Sequence, residues 1–231
     1  MQAIIGGTSL LDSSLFAGWK AKKVRTPYGA VDALVSGTSL FIQRHGNPPL
    51  PPHRIDHRAN IAALEKLGAK TIVAVNSVGS LKASIRPGSL VIPSDFFSLW
   101  QIPTFHDDRM NFFVPAMDED LARLLFDACR KHTGQVRMGG VYVQTLGPRL
   151  ETKAEINALK NYGHIVGMTL ASEATLAMER AIPYASICCV DNHCNGIAKK
   201  PLTMDEIRAN VRKNIATVEG VLETLITRGL S

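Results

Sequence analysis

The chain has only four cysteines in 231 residues, and none stands in a C-x-x-C spacing. That excludes a disulfide framework and the usual zinc sites, and leaves Cys129, Cys188, Cys189 and Cys194 as reduced, mostly buried thiols of the kind expected in a cytoplasmic protein. Aromatic residues are scarce at 6% and are not interleaved with basic ones. The excess of 26 Lys+Arg over 20 Asp+Glu is scattered in pairs such as Lys22-Lys23 and Lys199-Lys200. It points to small anions and not to a nucleic-acid partner. No apolar run approaches the length of a membrane span, and Met1-Gln2-Ala3-Ile4-Ile5 carries no charged leader, so no membrane partner is expected. There is no internal repeat and no low-complexity segment. A P-loop and a dinucleotide fingerprint are also missing, because Gly6-Gly7-Thr8-Ser9 lacks the lysine of the first and the third glycine of the second.

What is present suits one sizeable α/β domain over residues 1–231, with 45% hydrophobic residues to fill its core. Apolar runs of strand length recur at 3–5, 31–34, 40–43, 71–75, 89–92, 136–144 and 183–190. Between them lie helical patterns at 58–67, closed by Gly68, and at 119–131, 153–162 and 203–225. Thr203 with Glu206 three residues on predicts a capping box at the last of these. Residues 96–117 have no clean period and read as a long loop carrying Phe105, Phe112 and Phe113, either a flap, a subunit contact or core anchors. Asn47-Pro48-Pro49-Leu50-Pro51-Pro52-His53 is too rich in proline for helix or central strand and reads as an ordered loop or lid.

The chemistry is expected where strands end. Residues 163–174 pass from a glycine-bracketed apolar strand into an Ala-, Leu-, Met- and Glu-rich helix. Thr169 stands at the junction, where unpaired helix N–H groups suit an anion. Comparable turns of small or polar residues follow apolar strands at 6–9, 44–46, 76–80 and 191–195. Arg44 offers a fixed fork of donors and His45 a further donor. Any one of these is most simply a tight turn or a cap. Brought to one sheet edge, they would offer hydroxyls, N–H groups and charge to an anion, with Asn and Glu side chains for a polar heterocycle.

In order and spacing, Gly6-Gly7-Thr8, Arg44-His45-Gly46, Asn76-Ser77-Val78-Gly79-Ser80, Gly147-Pro148-Arg149-Leu150-Glu151-Thr152 and Val166-Gly167-Met168-Thr169 with Glu173 resemble the trimeric purine nucleoside phosphorylase and methylthioadenosine phosphorylase family. The resemblance implies a three-layer α/β/α subunit with a mixed, partly barrel-like sheet. It implies attack of inorganic phosphate on the anomeric carbon of a purine nucleoside, with no metal or organic cofactor, in a homotrimer or a dimer of trimers. By the same resemblance Thr8, Arg44, His45, Ser77 and Thr169 hold phosphate, Met168 packs on the ribose, and Thr8, His45 and Asn192 serve catalysis. Ser9 departs from the pattern, standing where a glycine is usual.

Members that accept 6-oxopurines resemble this chain in having Glu151 and Asn192, a carboxylate for N1–H and an amide for O6 and N7. Adenine-specific relatives have Ser and Asp there. Asp191 is the neighbour that a shift of one residue would bring to the base. Leu150 belongs to the substrate pocket, and Leu202, Met204 and Ile207 lie where the family builds an apolar wall for a 5′-methylthio group. That favours 5′-methylthioinosine, with ordinary inosine or guanosine, or methylthioadenosine, as alternatives. Phe113 is the remaining candidate contact; its segment, 112–117, looks like the one ordinary inosine and guanosine phosphorylases contribute from a neighbouring subunit, which speaks for those alternatives. A nucleosidase would need a carboxylate among the phosphate ligands, and none stands among Thr8, Arg44, His45 and Thr169. A non-catalytic nucleoside- or nucleic-acid-binding protein is the reading from another class.

Overall fold

Thr71-Ile72-Val73-Ala74-Val75 is apolar on both faces, so it belongs in the middle of a covered sheet. The computed structural model describes residues 1–229. In it this run opens a ten-residue strand, Thr71–Ser80 (β5), buried for most of its length. The turn expected at 76–80 is therefore strand, its polar residues held in a ladder with Tyr184–His193 (β11), which pairs β5 in parallel from Ile72 to Ser80. The polar cluster expected after β11 likewise begins inside it. The register slips between Val190 and Asn192, leaving Asp191 as a bulge.

The opposite edge of β5 is shared by two strands. Gln2–Gly6 (β1) pairs with it in parallel at Thr71 to Ala74, and Ile165–Gly167 (β10) pairs antiparallel at Gly79 and Ser80. Among the described residues, Val75 to Val78 have no strand partner on that edge. The sheet splits there, and the chain leaving β1 at Gly7 and the chain leaving β10 at Met168 diverge around the gap. Such a break in strand pairing is where α/β sheets take ligands.

Beyond β1 lie Ser39–Gln43 (β4), Gly29–Ser36 (β3) and Lys20–Thr26 (β2). Beyond β10 lie Val141–Gln144 (β9) and Asp95–Ser98 (β7), and beyond β11 lie Leu90–Ile92 (β6) and Val136–Met138 (β8). These eleven strands among the described residues form one mixed sheet. Its pleat divides the core. Ala3, Ile5, Ile72 and Ala74 face His57–Lys66 (α1) and Leu170–Glu179 (α4), while Ile4, Val73, Val75 and Ile187 face Glu119–Arg130 (α2) and Met204–Arg228 (α5). The three-layer α/β/α expectation holds.

Three local readings change. The run 136–144 breaks at Gly139-Gly140, both at positive φ, into strands that join different parts of the sheet. The loop at 96–117 starts inside β7 and anchors itself through buried Phe105, over which Arg180 stacks at 4.1 Å. Of the capping box at Thr203 only one half is made, Glu206 N–H to the Thr203 hydroxyl at 3.3 Å. The complete box is at Lys153–Leu159 (α3), between Thr152 and Glu155. No helix of the described residues is long and apolar enough to cross a membrane.

Candidate functional site

Arg44 follows β4 with its N–H bonded to Gly6 O at 3.0 Å, and its side chain turns into the split. There Nη1 donates to Val75 O at 2.7 Å, supplying the bond that no strand makes on that edge. Gly7 lets the guanidinium in, since a Cβ at that position would collide with Nη1 and lie 2.8 Å from Val75 O. Nε and Nη2 donate to the two oxygens of Glu173 at 2.6 and 3.2 Å, and both side chains are buried. Burial opposes the Arg44 charge, but the attraction and hydrogen bonds of Glu173 outweigh it, so the guanidinium is held above its ordinary pKa. Three of its five donors are engaged. Arg44 is thus not the open fork expected from sequence, and two N–H groups remain for an anion.

Around this pair the polar groups are fixed. Tyr184 donates its hydroxyl to Glu173 Oε2 at 3.0 Å, and His57 lies 3.8 Å from Oε1 with its pKa pushed down to about 4 by burial. Asn76 accepts from the Ser186 hydroxyl at 2.6 Å and donates Nδ2 to Thr169 Oγ1 at 2.7 Å. Because Thr169 Oγ1 accepts there, its own proton is free for a ligand. The start of α4 offers less than its sequence suggests. Tyr142 Oη accepts from the N–H groups of Thr169 and Leu170, and Gln144 Oε1 accepts from that of Ser172.

His45 Nδ1 lies 2.7 Å from Leu50 O, and a carbonyl only accepts, so Nδ1 carries the proton. Burial pushes the ring's pKa down, toward the neutral form. Its Nε2 is then an acceptor, suited to a ligand hydroxyl, and not the donor expected from sequence. Across the split the Thr8 and Ser77 hydroxyls are 2.9 Å apart. Ser9 is wholly buried and lies outside the cavity these groups line.

A second cluster comes from the turn at 145–152. Thr145 donates its hydroxyl to Glu151 Oε1 at 2.6 Å, leaving Oε2 for a ligand. Arg149 makes a two-pronged bond to Glu155 at 2.7 and 2.8 Å, and Glu155 also accepts the Thr152 N–H, which stiffens the turn. These bonds hold the exposed Glu155 carboxyl down at about 2. Asn192 Nδ2 donates to His193 O at 2.9 Å and keeps its second proton and its oxygen.

Both clusters face one cavity of about 230 Å³. Its lining includes Thr8, Arg44, His45, Ser77 and Thr169, then Leu150, Glu151, Met168 and Asn192, and the apolar Leu202, Met204, Ile207 and Val211. Phe113 is the sequence candidate the structure does not bring in: it lies on the surface of its own chain, 40% exposed, outside the cavity. Asp191 lines the cavity as well, with Asn192 beside it, so the choice between the two positions becomes a pair. The polar run 191–195 signalled it; nothing in the sequence signalled Val211 or Asn76's bridging role. Among the described residues no group of three or more His, Cys, Asp or Glu is placed to hold a metal ion.

The model of the phosphorylase superfamily matches residues 3–227. The chain is 37% identical over 234 residues to a probable 6-oxopurine nucleoside phosphorylase of Archaeoglobus fulgidus, covering 99% of this chain and 96% of that one. It is 36% identical over 240 residues to a probable S-methyl-5′-thioinosine phosphorylase of Methanocaldococcus jannaschii, covering 99% and 93%. Among solved structures it superimposes on a methylthioadenosine phosphorylase from an antarctic soil metagenomic library with a TM-score of 0.85 and 29% identity, over 97% of this chain and 84% of that one.

Proposed function

Because the chain belongs to the phosphorylase superfamily, and within it is a purine nucleoside phosphorylase, we propose that its preferred substrate is 5′-methylthioinosine. Inorganic phosphate attacks the anomeric carbon as the N-glycosidic bond breaks, and hypoxanthine and 5-methylthioribose 1-phosphate leave. Positive charge builds on the sugar and negative charge on the purine, and the site has a partner for each. Thr8, Thr169 and the two free N–H groups of Arg44 hold phosphate under the ring, with Ser77 bonded to Thr8. His45 accepts from a hydroxyl of the sugar or of phosphate, and Met168 packs on the ribose. Glu151 Oε2 accepts from N1–H while Asn192 reaches O6 and N7. The scheme calls for no metal or organic cofactor.

The wall of Leu202, Met204, Ile207 and Val211 carries the choice of 5′ group. Those side chains hold no hydrogen-bonding group, so a 5′-hydroxyl buried there would go unpaired at roughly 1–3 kcal/mol. A thioether gains from the same contact. The relatives named for 6-oxopurine nucleosides and for methylthioinosine support the choice of base. The test is a panel of inosine, guanosine, adenosine and their 5′-methylthio forms with phosphate. 5′-Methylthioinosine should give the highest kcat/KM; inosine ahead of it would remove the 5′ assignment, and methylthioadenosine ahead of it the base assignment.

The working form in this proposal is a homotrimer or a dimer of trimers. Phe112 and Val114, 84% and 91% exposed, support it as apolar side chains that a second copy of the chain would cover. A cytoplasmic setting fits four free thiols, all buried.

A further inference from the structure

The cavity contains a buried carboxylate to which this scheme gives no task. Asp191 stands at the β11 bulge, 2% exposed. Two amides of α5 hold it, Asn214 Nδ2 donating to its Oδ1 and Asn210 Nδ2 to its backbone carbonyl, each at 2.8 Å. Its Oδ2 is buried and has no hydrogen-bond partner among the described residues. A lone polar atom buried beside a ligand cavity calls for a partner or a proton.

The Ser77 hydroxyl lies close enough to this carboxyl to favour its charged form, and is 2.9 Å from the Thr8 hydroxyl. A bond between Oδ2 and Ser77, which the resting side chains do not make, would join carboxyl, Ser77 and Thr8 in a row that ends at the anion site. Each hydroxyl has one proton, so the row has two polarities. With Asp191 ionised, Ser77 donates to the carboxylate and Thr8 to Ser77, and neither proton is left for an anion. With Oδ2 protonated, Asp191 donates to Ser77, Ser77 to Thr8, and Thr8 to the anion.

We infer that Asp191 is a positioning residue for phosphate: through Ser77 it sets the direction of the Thr8 hydroxyl, and phosphate binding takes up one proton at its Oδ2. The inference rests on the phosphate site proposed above. The proton comes from solvent as phosphate enters and returns when the sugar phosphate leaves. Burial pushes the Asp191 carboxyl up to about 6, against the pull of Asn214 and Ser77, so the proton is accessible near neutrality. The groups around it are the Cys189 thiol of β11, itself pushed up by burial, the uncharged amides of α5, and Ser77 of β5. Glu151, Arg44 and His45 share the cavity.

Asp191→Asn imitates the protonated form, its oxygen accepting from Asn214 and its amide donating to Ser77. The measurement is the phosphate KM of wild type divided by that of D191N, a ratio in which phosphate's own ionisation cancels. Between about pH 5.5 and about pH 7.5 this ratio should rise roughly 25-fold, with little change in the nucleoside KM. In a Ser77→Ala background the same ratio should stay flat, since the row is cut. A flat ratio in the native background overturns the inference alone. So does a rise that persists without Ser77, because the carboxylate would then act by charge and not through the row. Base release by wild type that needs no phosphate overturns the phosphorolytic reading and this inference with it.

Discussion

Arg44 is the residue on which the split in the sheet depends. Its guanidinium replaces a missing strand at Val75, and its charge is tolerated in the core because Glu173 grips two of its nitrogens. Removing the counter-charge leaves a cation buried without a partner. Glu173→Ala is therefore expected to destabilise the fold by about 3–5 kcal/mol, read as a fall in the urea midpoint, and Glu173→Gln by less because one acceptor survives. A loss under about 1 kcal/mol for the alanine variant would mean that water reaches the pair and that Arg44 is freer than its burial implies. At the same scale, the place of Arg44 and Thr169 on the cavity was legible from a strand end and a helix start. Their hydrogen-bond allegiances were not, because Glu173, Val75 O and Asn76 are distant in sequence and ordinary in type.

The elements were legible where burial on both faces or a helical stripe dictates them, as in β5, α2 and α5. They were misread where the pattern says one thing and the ladder another. Asn76-Ser77 has turn-like composition, yet β11 pairs with it along the whole length of β5 and keeps it extended. β2 escaped notice because only Val24 of its seven residues is buried; a lysine-bearing edge strand carries almost no apolar signal and is guarded against further pairing. The segment 99–118 is anchored on its own chain by Phe105 and leaves Phe112 and Val114 exposed, and the subunit contact proposed for it is open to direct test. If its apolar side chains sit in a subunit contact, the wild type should sediment at three times 25.1 kDa or a multiple of that, and Phe112→Asp with Val114→Asp should shift it toward the monomer. A wild type that sediments as a monomer would contradict the trimer and return Phe113 to the surface.

For the whole molecule, the number of candidate turns mattered less than the way the sheet brings them together. β1 and β10 each cover part of one edge of β5, β11 covers the other edge, and the gap between β1 and β10 gathers Thr8, Arg44, Ser77 and Thr169 from stretches up to 161 residues apart. Asp191 at the bulge in β11 and Met204, Ile207 and Val211 from the first turns of α5 line the same cavity. This meeting of segments was anticipated from the resemblance, whereas the split that causes it lies in pairing register, which a single sequence does not display. The central claim is that this gap holds a phosphate that does the cleaving. Its most direct measurement is a 31P NMR time course with 5′-methylthioinosine, run with and without inorganic phosphate, alongside release of hypoxanthine. The expected result is a sugar 1-phosphate resonance growing in step with free base, and no base released when phosphate is left out. Base appearing at the same rate without phosphate, with no phosphate ester formed, would contradict it.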